Sequence, residues 1–226
     1  MTAARVRAIA FDLDGTLVDS RHDLAAAINR VRRDLGLGEL AVDEILGMVG
    51  EGARNLVRRA LGGDPADDLL ARAFDRFFLH YESECTRRTR PFAGIDEALR
   101  ALAARVPLAL VTNKPERFSR RIVEHLGWAG LFDPLVGGDT LATRKPDPEG
   151  LIAVCARHGI VPAELVLVGD SRIDARTAAA AGCAFRFARW GFARAEERAE
   201  LAGAPGADSP AVLAQQLRAE LAPPSA

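Results

Sequence analysis

Long apolar runs are missing from this 226-residue chain, and with them any segment suited to cross a membrane as a helix. The apolar stretch from Ala8 to Phe11 is cut off by Asp12, too soon for the core of a secretory signal. Basic excess is missing too. There are 30 Lys and Arg against 31 Asp and Glu, a net charge of -1, and no basic stripe of the kind that holds nucleic acid. Cysteine is scarce. Cys85, Cys155 and Cys183 are odd in number, far apart and without CxxC spacing. That argues against a disulfide framework or a zinc site and fits buried thiols in a reducing cytoplasm. His22, His80, His125 and His158 lie in helical patterns without metal spacing and read as structural. What remains is 49% hydrophobic and 27% charged, enough for one large domain or one domain with an insertion.

Periodicity orders the chain. Residues 5–11 read as a strand, with Val6, Ile9 and Phe11 apolar. Ser20 stands where it can cap the helix marked by Leu24, Ile28, Val31 and Leu35. Further helices are predicted over 42–49, 53–61 and 65–85. The last carries Leu69, Leu70, Ala73, Phe74, Phe77, Phe78 and Tyr81 on one broad face, a packing stripe. Trp128 and Trp190 also read as packing. No strand is expected between 19 and about 90. From 92 onward helix and strand alternate, ending in a strand from 184 whose spaced Phe and Arg fit a sheet edge with one wet face. Residues 203–210 and the final PPSA are rich in Ala, Pro, Gly and Ser and read as loose. The fold class expected is α/β: a Rossmann-like parallel sheet with helices on both faces, interrupted after its first strand by an all-helical insertion. Residues 1–18 and 91–226 would form the core and 19–90 the insertion.

Reactive groups gather at predicted strand ends. The first strand ends in Asp12 and Asp14, followed by Gly15 and Thr16; the second in Thr112, Asn113 and Lys114; the fourth in Asp170, with Asp174 four residues on. Lys145 lies in the loop after the third strand. Ligands of open parallel sheets bind beyond these carboxyl ends. Carboxylates crowded there repel one another unless a cation sits among them, and hard oxygen ligands suit Mg²⁺. A lysine, a hydroxyl and backbone N–H groups suit a phosphoryl group, and an aspartate can be the nucleophile in its transfer.

The stretches DLDGT, LVTN, RKPDP and GDSRID resemble, in order, the four motifs of the haloacid dehalogenase superfamily. They span 12 to 174, and the helical insertion resembles that superfamily's cap. The resemblance implies Asp12 as nucleophile, Asp14 as general acid/base, and Thr112 and Lys145 as phosphate binders, with Asn113 beside them as a substrate-binding candidate. It implies a Mg²⁺ set of Asp12, the main-chain carbonyl of Asp14, and Asp170, with Asp174 either near the metal or holding Lys145. An aspartate at 14 points to phosphate esters, since a halide leaves without a proton. Longer stretches, among them VGEGARNLV and LVTNKPERFSRRIVEHLG, are similar to the phosphoglycolate phosphatases of that superfamily. The similarity weakens after Ala184. Phosphosugar phosphatases, including those acting on N-acetylmuramic acid 6-phosphate, share VTNKP and KPDP, and a mutase would use Asp14 too. Arg54, in the loop VGEGAR, either pairs with the far end of the substrate or is a solvated arginine. Lys114 is either at the site or on the surface. A cap that opens would hinge near 19–21 and 88–92.

Overall fold

The structure, a computed structural model, describes residues 5–221. Its elements run β1 (Ala8–Phe11), β2 (Val18–Asp19), α1 (Arg21–Asp34), α2 (Val42–Leu46), α3 (Ala53–Ala60), α4 (Asp67–Glu84), β3 (Arg90–Pro91), α5 (Ile95–Ala103) and β4 (Leu108–Val111). They continue α6 (Glu116–His125), β5 (Phe132–Val136), α7 (Glu149–His158), a 3-10 turn (Pro162–Glu164), β6 (Leu165–Gly169), α8 (Arg172–Ala181), β7 (Ala184–Ala188), α9 (Ala195–Glu200), β8 (Gly206–Ala207) and α10 (Pro210–Glu220).

The three central strands are apolar at every position and buried on both faces. Ile9, Phe11, Leu108, Leu110, Val166 and Val168 enter one core; Ala8, Ala10, Ala109, Val111, Leu165 and Leu167 enter another. Such strands need helices above and below. α5, α6 and α10 supply Leu99, Ile122 and Leu217 to the first core, and α7 and α8 supply Leu151, Val154 and Ala178 to the second. Each large side chain so buried contributes about 1.5–3 kcal/mol. The sheet order is β5-β4-β1-β6-β7-β8 and every pairing is parallel. From β1 the chain builds outward through β4 and β5, then crosses to β6 on the other side. The crevice that ligands use in such sheets therefore opens at the carboxyl ends of β1, β4 and β6.

Helices α1 to α4 form the insertion. α1 buries Leu24, Ala27, Ile28 and Val31, and α4 buries Leu70, Ala73, Phe77 and Tyr81, both at helical spacing. The insertion begins and ends on strands that its sequence did not suggest. β2 and β3 pair antiparallel, Val18 with Pro91 and Asp19 with Arg90. Two residues per strand are too few to show a period. Buried Asp23 secures this neck by accepting from the N–H groups of Arg88 and Thr89 and from the Thr89 hydroxyl, at 2.8–3.0 Å.

Three expectations are corrected. β7 is not the edge: β8 pairs with it, Phe187 with Gly206 and Ala188 with Ala207. The 203–210 stretch therefore contains a strand, and Gly206 is there because a Cβ would lie 2.2 Å from the Phe187 carbonyl oxygen. The PPSA end lies outside the described residues. Ser20 precedes α1 without a side-chain capping bond, because its hydroxyl donates to Asp14 instead. Among the described residues no helix is long and apolar enough to cross a membrane.

Candidate active site

Strand pairing sets the site's positions. Asp12 extends β1 by one ladder step, its N–H donating to the Val168 carbonyl at 2.9 Å. Thr112 does the same beyond β4, donating to the Val136 carbonyl. Asp170 follows β6 directly. Between them the chain turns at Gly15, whose φ is +85° and whose added Cβ would fall 2.2 Å from Asp170 Oδ2. Glycine meets both demands, left-handed backbone and close approach. Thr16 Oγ1 then donates to Asp170 Oδ1 at 3.3 Å. Ser171 caps α8 and shares a capping box with Asp174, which fixes that carboxylate at the helix start.

Lys145 lies between two carboxylates, 2.8 Å from Asp12 Oδ1 and 2.6 Å from Asp174 Oδ1. The other Asp174 oxygen accepts from Ser171 N–H and hydroxyl at 3.1 and 2.6 Å. Asp174 thus contacts Lys145, as one of its two readings has it. One oxygen from each of Asp12, Asp170 and Asp174 still falls within 4.8 Å of the others. Burial pushes the Asp12 carboxyl up to about 6, with Asp174 adding to the rise and Lys145 opposing it. Asp170 is pushed well above the usual carboxylate range, by burial first and then by Asp174 and Asp12. Burial would lower Lys145, but Asp12 and Asp174 outweigh it and raise it. All three shifts are upward: burial leads for the two carboxyls, and the crowding of carboxylates around one ammonium adds to each. With Asp14 and Lys114 included, four carboxylates and two ammoniums leave two negative charges, which one divalent cation would match. The donors are all oxygens, so the buried acidic cluster of Asp12, Asp170 and Asp174 suits a hard cation.

Lys114 is not on the surface. Its Nζ donates to both oxygens of Asp14, at 2.9 and 2.8 Å, and to the Tyr81 hydroxyl at 2.6 Å. Asp14 Oδ1 also accepts from Ser20 Oγ at 2.5 Å. Asn113 donates to the Gly50 and Lys145 carbonyls at 2.9 Å, joining the VGEGAR loop to the RKPDP loop rather than pointing at Asp12. Arg54 is brought to neither cavity of the site. It is exposed, with its guanidinium 5.9 Å from the centre of the Phe74 ring. On α3 the inward positions belong to Ala53 and Leu56, one helical step away.

Two cavities meet at Asp12 and Asp14. One, of about 160 Å³, contains Lys145, Asp170 and Ser171 and is rimmed by Arg59, Arg172 and Arg194. The other, of about 50 Å³, runs past Thr112, Asn113 and Lys114 to an apolar wall of Leu24, Val49, Leu56, Phe77 and Phe118. Sequence reasoning missed Tyr81, Ser20 and the turn after β7. Phe192 N–H donates to Asp170 Oδ2 at 2.6 Å, and Trp190 Nε1 to the Thr16 carbonyl at 3.0 Å. Trp190 thus ties the turn to the DLDGT loop as well as packing. Trp128 is fully buried, and its Nε1 donates to Asp96.

Comparison with known proteins agrees with this arrangement. Residues 9–188 match the family model described as haloacid dehalogenase-like hydrolase. The chain is 42% identical over 200 residues to a phosphoglycolate phosphatase of Chromobacterium violaceum, covering 86% of this chain and 90% of that one. It is 43% identical over 192 residues to the enzyme of that name from Cereibacter sphaeroides, covering 83% and 87%. A solved structure of a predicted phosphoglycolate phosphatase from Haemophilus somnus superposes with a TM-score of 0.87 at 30% identity, covering 96% of this chain and 99% of that one. With its motifs at the ends of adjacent parallel strands and its whole core matched, the chain belongs to the haloacid dehalogenase-like hydrolase family and is one of its phosphatases.

Proposed function

We propose that this phosphatase is Mg²⁺-dependent, acts through an aspartyl-phosphate on Asp12, and takes 2-phosphoglycolate as substrate. The observation that carries the reading is the pair of unequal cavities meeting at Asp12 and Asp14. The larger has the carboxylates and Lys145 that a phosphoryl group and a cation require. The smaller, at about 50 Å³, has room for about three to five water-sized groups. A space of that size suits a short tail such as glycolyl better than a sugar ring. The relatives named for phosphoglycolate support the same choice.

Asp12 attacks phosphorus as the ester P–O bond breaks. Asp14, protonated at the start, gives its proton to the departing oxygen, then as a carboxylate takes one from the water that attacks the phospho-Asp12, releasing phosphate and restoring the Asp12 carboxylate and the Asp14 acid. Lys145 and Thr112 hold the phosphoryl oxygens, and Asp174 keeps Lys145 in place. Asp12 and Asp170, with the main-chain carbonyl of Asp14, would hold Mg²⁺, which neutralises charge on the transferring group. Residues 19–90 act as the cap that admits substrate and excludes bulk water, and 1–18 with 91–226 do the chemistry. The unbridged cysteines fit a cytoplasmic enzyme.

Phosphate release from a panel of esters, with and without Mg²⁺, tests this. Wild type is expected to favour 2-phosphoglycolate and to need the metal. Asp12→Asn should be inactive, and Asp14→Asn should lose about 10²–10⁴-fold in kcat. Its loss should be smaller on p-nitrophenyl phosphate, whose leaving group needs no proton. Equal release by wild type and Asp12→Asn would rule out the covalent route.

A further inference from the structure

The chain contains one tyrosine and two lysines, against 28 arginines. The tyrosine and one of the lysines meet at the small cavity. Lys114 Nζ has three protons, and all three are engaged, two on Asp14 and one on Tyr81. The Lys114 side chain is 3% exposed. Its ammonium lies 4.7 Å from the centre of the Tyr81 ring, which stacks on Phe77 and meets Phe118 edge-on. The apolar wall gives Lys114 no other anion, and it is the one cation lining that cavity. Arginine would bring a rigid planar fork; lysine brings a compact charge on a flexible stem that can change partner.

We propose that Lys114 and Tyr81 form the subsite for an anionic tail on the substrate, and that the tail draws Lys114 off Asp14. Tyr81 keeps its hydrogen bond, so the ammonium pivots over a short distance. Asp14 then faces the ester oxygen with Ser20 as its remaining partner. Reading the tail and uncovering the acid are one movement. An ester with a neutral tail leaves Lys114 where it is. Because Tyr81 comes from α4 and Lys114 from the loop after β4, the subsite exists only while α4 rests on the core. This deepens the phosphoglycolate reading and rests on the site being a phosphatase site.

The test compares kcat/KM for carboxylated esters (2-phosphoglycolate, 3-phosphoglycerate) with neutral-tailed ones (ethyl phosphate, glycerol 1-phosphate). Lys114→Met should cut the carboxylate preference about 10- to 100-fold, the loss expected for one charged hydrogen bond. Lys114→Arg should recover part of it. Tyr81→Phe should raise KM about 2- to 10-fold for carboxylated esters alone. Equal losses on both classes, or a wild type with no carboxylate preference, would overturn the subsite. A wild type that prefers 3-phosphoglycerate, with the preference erased in Lys114→Met, would overturn phosphoglycolate as substrate and leave the subsite standing. If Lys114→Met does not fold, Tyr81→Phe decides, and unchanged selectivity in it overturns the proposal.

Discussion

Because Tyr81 is the only tyrosine, its ionisation can be followed alone by the ultraviolet band of tyrosinate. Burial first, then the charges of Asp14, Cys85 and Asp23, push its hydroxyl well above the ordinary value. The folded protein should show no tyrosinate at about pH 10, where the unfolded chain titrates. The unfolded state loses this proton first, so stability should fall as pH rises past that point. A native titration at the unfolded value would contradict the packing described for Tyr81. The sequence could not single this residue out. On α4 it falls in the same stripe as Phe77 and Leu70, and a core tyrosine leaves the same trace as one whose hydroxyl is used. Asp12, Asp14, Lys145 and Asp170 were legible for the opposite reason: buried strands do not end in charge without a use for it. Arg54 lines neither cavity, because a motif gives neighbourhood while the turn of the helix decides which side chain points in.

At the scale of elements, α4 meets α6 through rings. Phe78 and Tyr81 lie 5.0 and 4.9 Å from Phe118, centre to centre. Beside them Glu82 pairs with Arg117 and Arg121, all partly exposed. These contacts contribute unequally. Phe118→Ala should cost about 3–5 kcal/mol, since a fully buried ring leaves a cavity. Glu82→Ala should cost about 0–1 kcal/mol, since solvent screens an exposed pair. Urea unfolding of both variants checks this, and similar costs would mean the ion pairs hold the insertion on the core. Most helices could be read to within a few residues because their apolar spacing runs for several turns. β8 could not, being two residues long, and its presence turned the expected edge β7 into an interior strand.

For the whole molecule, charge at one rim governs response to pH and metal. Burial pushes the Asp12 carboxyl up to about 6 in the folded protein, above the ordinary aspartate range. A buried carboxyl raised in this way loses stability as pH rises from its unfolded value to its folded one, and the loss is complete above both. Metal-free protein should therefore gain about 1 kcal/mol from Asp12, or about 3 °C in Tm, between pH 7 and pH 5, a gain reduced in Asp12→Asn. Mg²⁺ should raise Tm at pH 7, and by less at pH 5, where protons already occupy the cluster. A Tm insensitive to Mg²⁺ at pH 7 would argue against a cation among these acids.

The neck at β2 and β3 has a consequence for inheritance. The chain enters the insertion at Val18 and leaves it at Pro91, and these residues are paired in a two-stranded sheet of their own. Their separation is one strand spacing, about 4.5–5.5 Å. Everything between them, Tyr81 included, is a cassette whose two ends can be rejoined by a short turn. The groups that cleave phosphate stay with the sheet when it is removed. The tyrosine that would read the substrate's tail goes with the cassette. Exchanging one such segment for another would thus change what the enzyme recognises, and with Ser20 and Tyr81 the partners that tune Asp14, while Asp12, Lys145 and Asp170 stay on the sheet.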